Sequence, residues 1–107
     1  MIHAKKVEPE YFAAALRGDK TFELRQEEDG EPGFAVGDYL ALNECESGRH
    51  SDGPHYSGRC LLYRITYVLR DYPLLAPGAV ALGLRLMPLS GDDLDALKTE
   101  RLLPRWQ

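Results

Sequence analysis

"RCLLYRITYVLR", residues 59–70, is the longest β-type run in the chain. Leu61, Tyr63, Ile65, Tyr67 and Leu69 alternate with Leu62, Arg64, Thr66, Val68 and Arg70. Aromatic and β-branched residues at a period of two suit a pleated, half-buried surface. This segment therefore reads as a main strand, and the other elements can be placed outward from it.

Downstream, "DYPLLAPG" (71–78) ends the run with two prolines, which lack the N–H a ladder needs. "AVALGLRLM" (79–87) follows as a last strand, with Val80, Leu82, Leu84 and Leu86 on one side. A helical extension is predicted over 90–107. Ser90 is its cap, Asp93 completes a capping box, Leu89 can staple to Leu94, and Pro104 stops it.

Upstream, "ESGRHSDGPHYSG" (46–58) is polar and glycine-containing and predicts a long loop. "FAVGDYLALNEC" (34–45) carries a turn at Gly37 and Asp38, then a strand, and "QEEDGEPG" (26–33) is an acidic loop. In "KTFELR" (20–25), Phe22 and Leu24 point one way and Thr21, Glu23 and Arg25 the other, the period of a half-buried strand. "PEYFAAALRG" (9–18) is a helix: Pro9 suits its first turn, Phe12, Ala15 and Leu16 share a face, and Gly18 can end it in the left-handed region. "IHAKKV" (2–7) is a short first strand.

One early helix, about five strands and a closing helix predict an α+β fold, a small, strongly curved sheet or barrel. There is too little helix between the strands to cover both faces of a parallel sheet. The 107 residues form one domain, with no internal repeat or linker.

The bulk properties narrow the function classes. No apolar run approaches the roughly 18 residues a membrane span requires. "MIHAKKVEPEYF" has no apolar core of signal-peptide length, so a cytoplasmic location is the simplest reading. The net charge of −4 argues against a general nucleic-acid coat. Its distribution is uneven. From Gln26 to Asp52, Glu27, Glu28, Asp29, Glu31, Asp38, Glu44, Glu46 and Asp52 stand against the single base Arg49, whereas from Gly53 to Gly91 the one acid Asp71 stands against Arg59, Arg64, Arg70 and Arg85. An acidic lobe and a weakly basic sheet leave room for a phosphate on one face.

The strongest chemical signal lies in "GDKTFELR" (18–25). Lys20 sits just past the helix end, where a flexible ammonium can reach an oxyanion. Thr21, Glu23 and Arg25 share a strand face at successive spacings of roughly 6–7 Å. Arg25 offers a planar fork to a phosphate or base edge, and Glu23 can accept from an exocyclic amine. An exposed ion pair of Glu23 with Lys20 or Arg25 is the simpler alternative and would contribute at most about 1 kcal/mol.

Gly18, Lys20, Glu23 and Arg25 complete the pattern G-x-K-x-x-E-x-R directly after the first helix. In this the chain resembles the ASCH domains of the PUA-like superfamily of RNA-associated small barrels. It is most similar to a group of bacterial and phage domains within it, the DUF3850 family. That similarity runs through His3, Lys6 and Pro9, "YF" (11–12), "KTFELR" (20–25), "FAVGD" (34–38), Glu44, "YSGR" (56–59), "ITYVL" (65–69) and "GAVALGLR" (78–85). The resemblance implies a PUA-like barrel of about five strands, the first helix between strands 1 and 2, and a motif-lined cleft receiving RNA or a nucleotide. It makes Lys20, Thr21, Glu23 and Arg25 the expected ligand-binding residues, with His3, Lys6, Arg59 and Tyr67 as secondary candidates. Tyr56, Tyr63 and Tyr67 are candidates for stacking on bases. No cofactor is expected.

Two other functions stay open at this point. Some ASCH relatives are small amidohydrolases that remove an acyl group from modified cytidine, using a lysine, a threonine and a glutamate. Lys20 matches the lysine, Glu23 stands where the threonine belongs, and the helical segment bearing the glutamate is missing. Lys20 and Glu23 are the catalytic candidates for such a reaction. The acidic loop from Glu27 to Glu31 suits a protein-interaction module instead. Cys45, His50, His55 and Cys60 are zinc-binding residue types spread across the long loop, but their spacing lacks the close ligand pair of a structural zinc site. No metal is therefore expected.

Overall fold

The computed structural model describes residues 1–47 and 53–88. Its elements are β1 (Ile2–Val7), α1 (Pro9–Leu16), β2 (Phe22–Gln26), β3 (Tyr39–Glu46), β4 (His55–Leu69) and β5 (Ala79–Leu86). The predicted helix beginning at Ser90 lies outside the described residues. The strands form one curled sheet in the order β1-β3-β4-β5-β2, a half-barrel with α1 packed against β3. This is the small mostly-β architecture that the strand count predicts, consistent with a PUA-like barrel.

Every neighbouring pair is antiparallel except β1 with β3, which run parallel from Ile2 opposite Tyr39 to Val7 opposite Glu44. The inner face gathers Val7, Phe12, Ala15, Phe34, Leu40, Leu42, Tyr63, Ile65, Val80 and Leu82 into the core. Full burial of a large apolar side chain contributes roughly 1.5–3 kcal/mol. A second, smaller cluster around Ala41 and Leu62, with Ile2, Ala4, Tyr39, Cys60 and Met87, lies on the other face of β1, β3 and β4.

α1 begins at a proline, as expected, and Phe12 and Ala15 are buried, but Leu16 is exposed. The long loop predicted over 46–58 is shorter than its composition suggests. β4 already begins at His55, and Tyr56 pairs with Cys45. The register shifts between Asn43 and Cys45, and Gly58 nearby has φ 88. A bulge with a left-handed glycine lets a polar, glycine-containing segment stay in a strand.

A second shift, between Ile65 and Tyr67, changes which residues of β4 face inward. Tyr63 and Ile65 lie in the core, but beyond Thr66 it is Val68 that packs against it, and Tyr67 is exposed. The simple alternation along residues 59–70 therefore holds only up to Ile65.

β2 alternates as predicted, with its faces opposite to the hydrophobic default. Glu23 is buried at 4 % exposure, whereas Phe22 and Leu24 are 49 % and 59 % exposed. Glu23 is opposite Leu82 and Arg25 opposite Val80, both core residues of β5. The charged face of the strand points into the barrel.

Candidate functional site

The helix exit delivers the motif to this position. Gly18 turns the chain with φ 84, and the N–H groups of Asp19 and Lys20 both donate to the Ala14 carbonyl, at 3.0 and 3.1 Å. These bonds satisfy the Ala14 carbonyl in the last turn of α1 and set Lys20 immediately before β2. Only a residue that tolerates the left-handed region makes this turn without a backbone cost.

From there, Lys20, Glu23 and Arg25 form one network. Lys20 Nζ donates to the Phe22 carbonyl at 2.7 Å and to Glu23 Oε1. Arg25 Nε donates to Glu23 Oε2 at 2.8 Å. Each oxygen of the buried carboxylate thus has its own cation, which is the condition under which a charge can be held away from water. Arg25 Nη2 donates to the Lys6 carbonyl on β1 at 2.7 Å. That bond joins the first and last strands of the sheet order, where no ladder pairs them.

A cleft of about 490 Å³ opens beside this network. Lys6, Val7 and Glu8 line one side, Lys20 and Phe22–Arg25 the other, and Tyr11 of α1 adds to the wall. Four of the predicted site residues, Lys6, Lys20, Glu23 and Arg25, come together here. The network carries one net positive charge, and Lys6 adds another that Glu8 on the same side offsets. Glu23 has each of its oxygens engaged by one cation of the network. Its part is to hold Lys20 and Arg25 in place.

The other candidates lie elsewhere. Thr21 is exposed and outside the cleft lining, its carbonyl taking the Leu84 N–H at 3.1 Å. His3 is buried, its Nε2 donating to Asp38 Oδ2 at 2.8 Å and its ring 4.6 Å from that of Phe34. That bond, more than any other contact, lowers the Asp38 pKa. Arg59 makes a two-pronged pair with Glu44, at 3.0 and 2.8 Å, and lies 4.9 Å from the centre of the Phe12 ring. The Arg59 guanidinium lowers the Glu44 pKa in turn. Tyr67 is outside the cleft, opposite Gly83 on β5. Of the tyrosines proposed for stacking, Tyr63 is buried and Tyr56 sits against Cys45, where burial raises its pKa.

A further pair, Glu27 with Arg70, has no part in the motif. Arg70 Nε and Nη2 meet the two Glu27 oxygens at 2.7 Å each, and Arg70 also donates to the Phe34 carbonyl. Glu27 Oε2 accepts the Phe34 N–H at 2.8 Å. The Arg70 hydrogen bonds, helped by that N–H, bring the Glu27 pKa down to about 2. The acidic loop is thereby tied to the end of β4.

Among the described residues, no three His, Cys, Asp or Glu side chains gather as a metal site. Cys45 and Cys60 stand on neighbouring strands, Cys45 opposite Tyr56 and Cys60 opposite Asn43. His50 lies outside the described residues. No helix of the described residues is long and apolar enough to cross a membrane.

Tyr11, Phe22 and Leu24 were not singled out as site residues from the sequence. The inverted faces of β2 and the contact between β1 and β2 bring them to the cleft. The model of the family described as "Domain of unknown function (DUF3850)" matches residues 2–84, which include every cleft residue. The chain belongs to the DUF3850 family. No curated protein matches it. In this DUF3850 domain the family match ends within β5, at Leu84, so it takes in β1 to β4, α1 and most of β5.

Proposed function

We propose that the cleft between β1 and β2 binds RNA or a nucleotide ligand through Lys6, Lys20 and Arg25. The observation that carries this is the pairing of Glu23. One buried carboxylate holds two cations at the wall of a cleft in a chain of net charge −4. A local excess of cations held in place by a buried partner suits a phosphate. The curled five-stranded sheet and the motif along its cleft also support a place for the family among the ASCH domains. For the amidohydrolase alternative, Glu23 stands where a threonine belongs, and Lys20 and Arg25 already occupy the carboxylate. Binding is therefore the favoured reading.

The test is binding of labelled single-stranded RNA and of free nucleotides across salt concentration. A Lys20→Ala/Arg25→Ala variant leaves Glu23 buried and unpaired, so a Lys20→Met/Glu23→Leu/Arg25→Met variant is measured beside it. Wild-type binding that weakens with salt and disappears in the folded triple variant supports the proposal. Binding that survives in the triple variant would place the ligand elsewhere.

A further inference from the structure

Two aromatic rings line the cleft beside its cations. Tyr11 of α1 and Phe22 of β2 are 51 % and 49 % exposed. Lys20 Nζ lies over the Phe22 ring, 5.3 Å from its centre, so a cation and an aromatic ring meet at the same wall of the cleft. The Tyr11 hydroxyl donates to the Glu10 carboxylate, which, more than its other surroundings, raises the tyrosine pKa. At about 490 Å³ the cleft is of the size that takes a small ligand, for which about 300–1,000 Å³ is usual.

The charges also limit how far a polyanion can run. Glu8 lines the cleft on the side of α1, and a neighbouring depression is lined by Glu8, Glu10 and Glu46. A phosphate chain continuing across the start of α1 would meet carboxylates. Lys20 and Arg25 lie on the opposite wall, around β2, and Lys6 alone shares the side of Glu8.

From this we infer that the cleft takes a single nucleotide unit, its base against Tyr11 and Phe22 and its phosphate on Lys20, Arg25 and Lys6. The inference rests on the nucleotide-binding reading above and adds the stacking residues and the size of the ligand. A free mononucleotide and one residue of a single strand present the same chemistry, and the experiment separates them.

The probes are 2-aminopurine riboside 5′-monophosphate, a ten-residue single strand carrying one 2-aminopurine, and inorganic phosphate, each titrated into the full chain. Base stacking quenches the fluorophore on binding. Tyr11→Leu and Phe22→Leu keep apolar bulk at exposed positions and remove the aromatic face. Each is expected to weaken the monophosphate by about 5- to 150-fold, the usual effect of losing one stacked base, with inorganic phosphate unaffected. Similar affinity for monophosphate and strand supports a single-unit site. A strand bound a hundredfold tighter than the monophosphate overturns it. Binding that needs Lys20 and Arg25 but is indifferent to both leucine variants overturns the stacking and leaves the nucleotide reading intact. Failure of every nucleotide probe to bind wild type overturns that reading, and this inference with it.

Discussion

Arg25 reaches from β2 to β1, its Nη2 2.7 Å from the Lys6 carbonyl oxygen, while its Nε holds Glu23 Oε2 at 2.8 Å. One guanidinium thereby neutralises a buried carboxylate and satisfies an edge carbonyl of the first strand. Arg25→Ala is expected to cost about 2–4 kcal/mol, since it leaves the Glu23 carboxylate with only Lys20 and opens the contact between the edges. Urea denaturation measures this. A loss under about 0.5 kcal/mol would show that water replaces the guanidinium at no cost and that Arg25 is there for the ligand alone.

Removing the whole network should be less harmful than removing one member. Apolar replacement of a buried ionic cluster is often neutral or stabilising by about 1–4 kcal/mol, because no charge remains to be desolvated. Lys20→Met/Glu23→Leu/Arg25→Met is therefore expected to be at least as stable as wild type, and clearly more stable than Arg25→Ala. The reverse order in denaturation midpoints would mean that the charges contribute net stability.

These variants bear on how much of the molecule could be read from its sequence. Periodicity placed β1, α1, β3 and β5 close to their observed bounds, because their apolar faces point inward. It could not say which face of β2 turns in. An apolar pair at Phe22 and Leu24 ordinarily takes the core side, and the opposite outcome depends on Glu23 being matched on both oxygens. The parallel pairing of β1 with β3, and hence the meeting of β1 with β2, leaves no trace in local pattern. The bulge beyond Ile65 turns Tyr67 outward and Val68 toward the core, and the polar start of β4 was hidden by loop-like composition. The motif cations were legible from their chemistry, and their neighbours Tyr11 and Phe22 only from the fold.

Gly18 gives the chain its exit from α1, with φ 84 and no atom within 4 Å of an added Cβ. Space is therefore available, and the cost of a side chain is purely conformational. Gly18→Ala should destabilise by about 1 kcal/mol, and Gly18→Asn by less, since asparagine tolerates the left-handed region. Thermal denaturation distinguishes the two. Equal losses would point to a contact made by the substituents instead.

Tyr63 is 3 % exposed, and its hydroxyl has no hydrogen-bond partner among the described residues. Burial, with the nearby Glu23 charge second, raises its pKa and keeps the phenol neutral. A buried hydroxyl without a partner is a desolvation cost. Tyr63→Phe is thus expected to leave stability unchanged or raise it by up to about 1 kcal/mol. A loss of 1 kcal/mol or more in urea denaturation would show that the hydroxyl is satisfied in solution.

Glu27 sets the expected behaviour in acid. Its pKa is lowered from the ordinary 4.5 to about 2 in the folded chain, first by the Arg70 hydrogen bonds. A carboxyl whose folded pKa is depressed contributes stability that is fully present above its unfolded value and is lost as pH falls toward the folded one. The Glu27 contribution should therefore be complete above about pH 5 and fade between roughly pH 4.5 and 2. Asp38 and Glu44 are lowered in the same direction, by His3 and Arg59 respectively, so they add to the same acid limb. Glu27→Gln removes one titrating group and should flatten that limb, while lowering stability near neutral pH by roughly 1 kcal/mol, as expected for a partly exposed ion pair. Denaturation midpoints from pH 2 to 7 for wild type and Glu27→Gln provide the comparison. Parallel curves would show that the Glu27–Arg70 pair does not persist in solution.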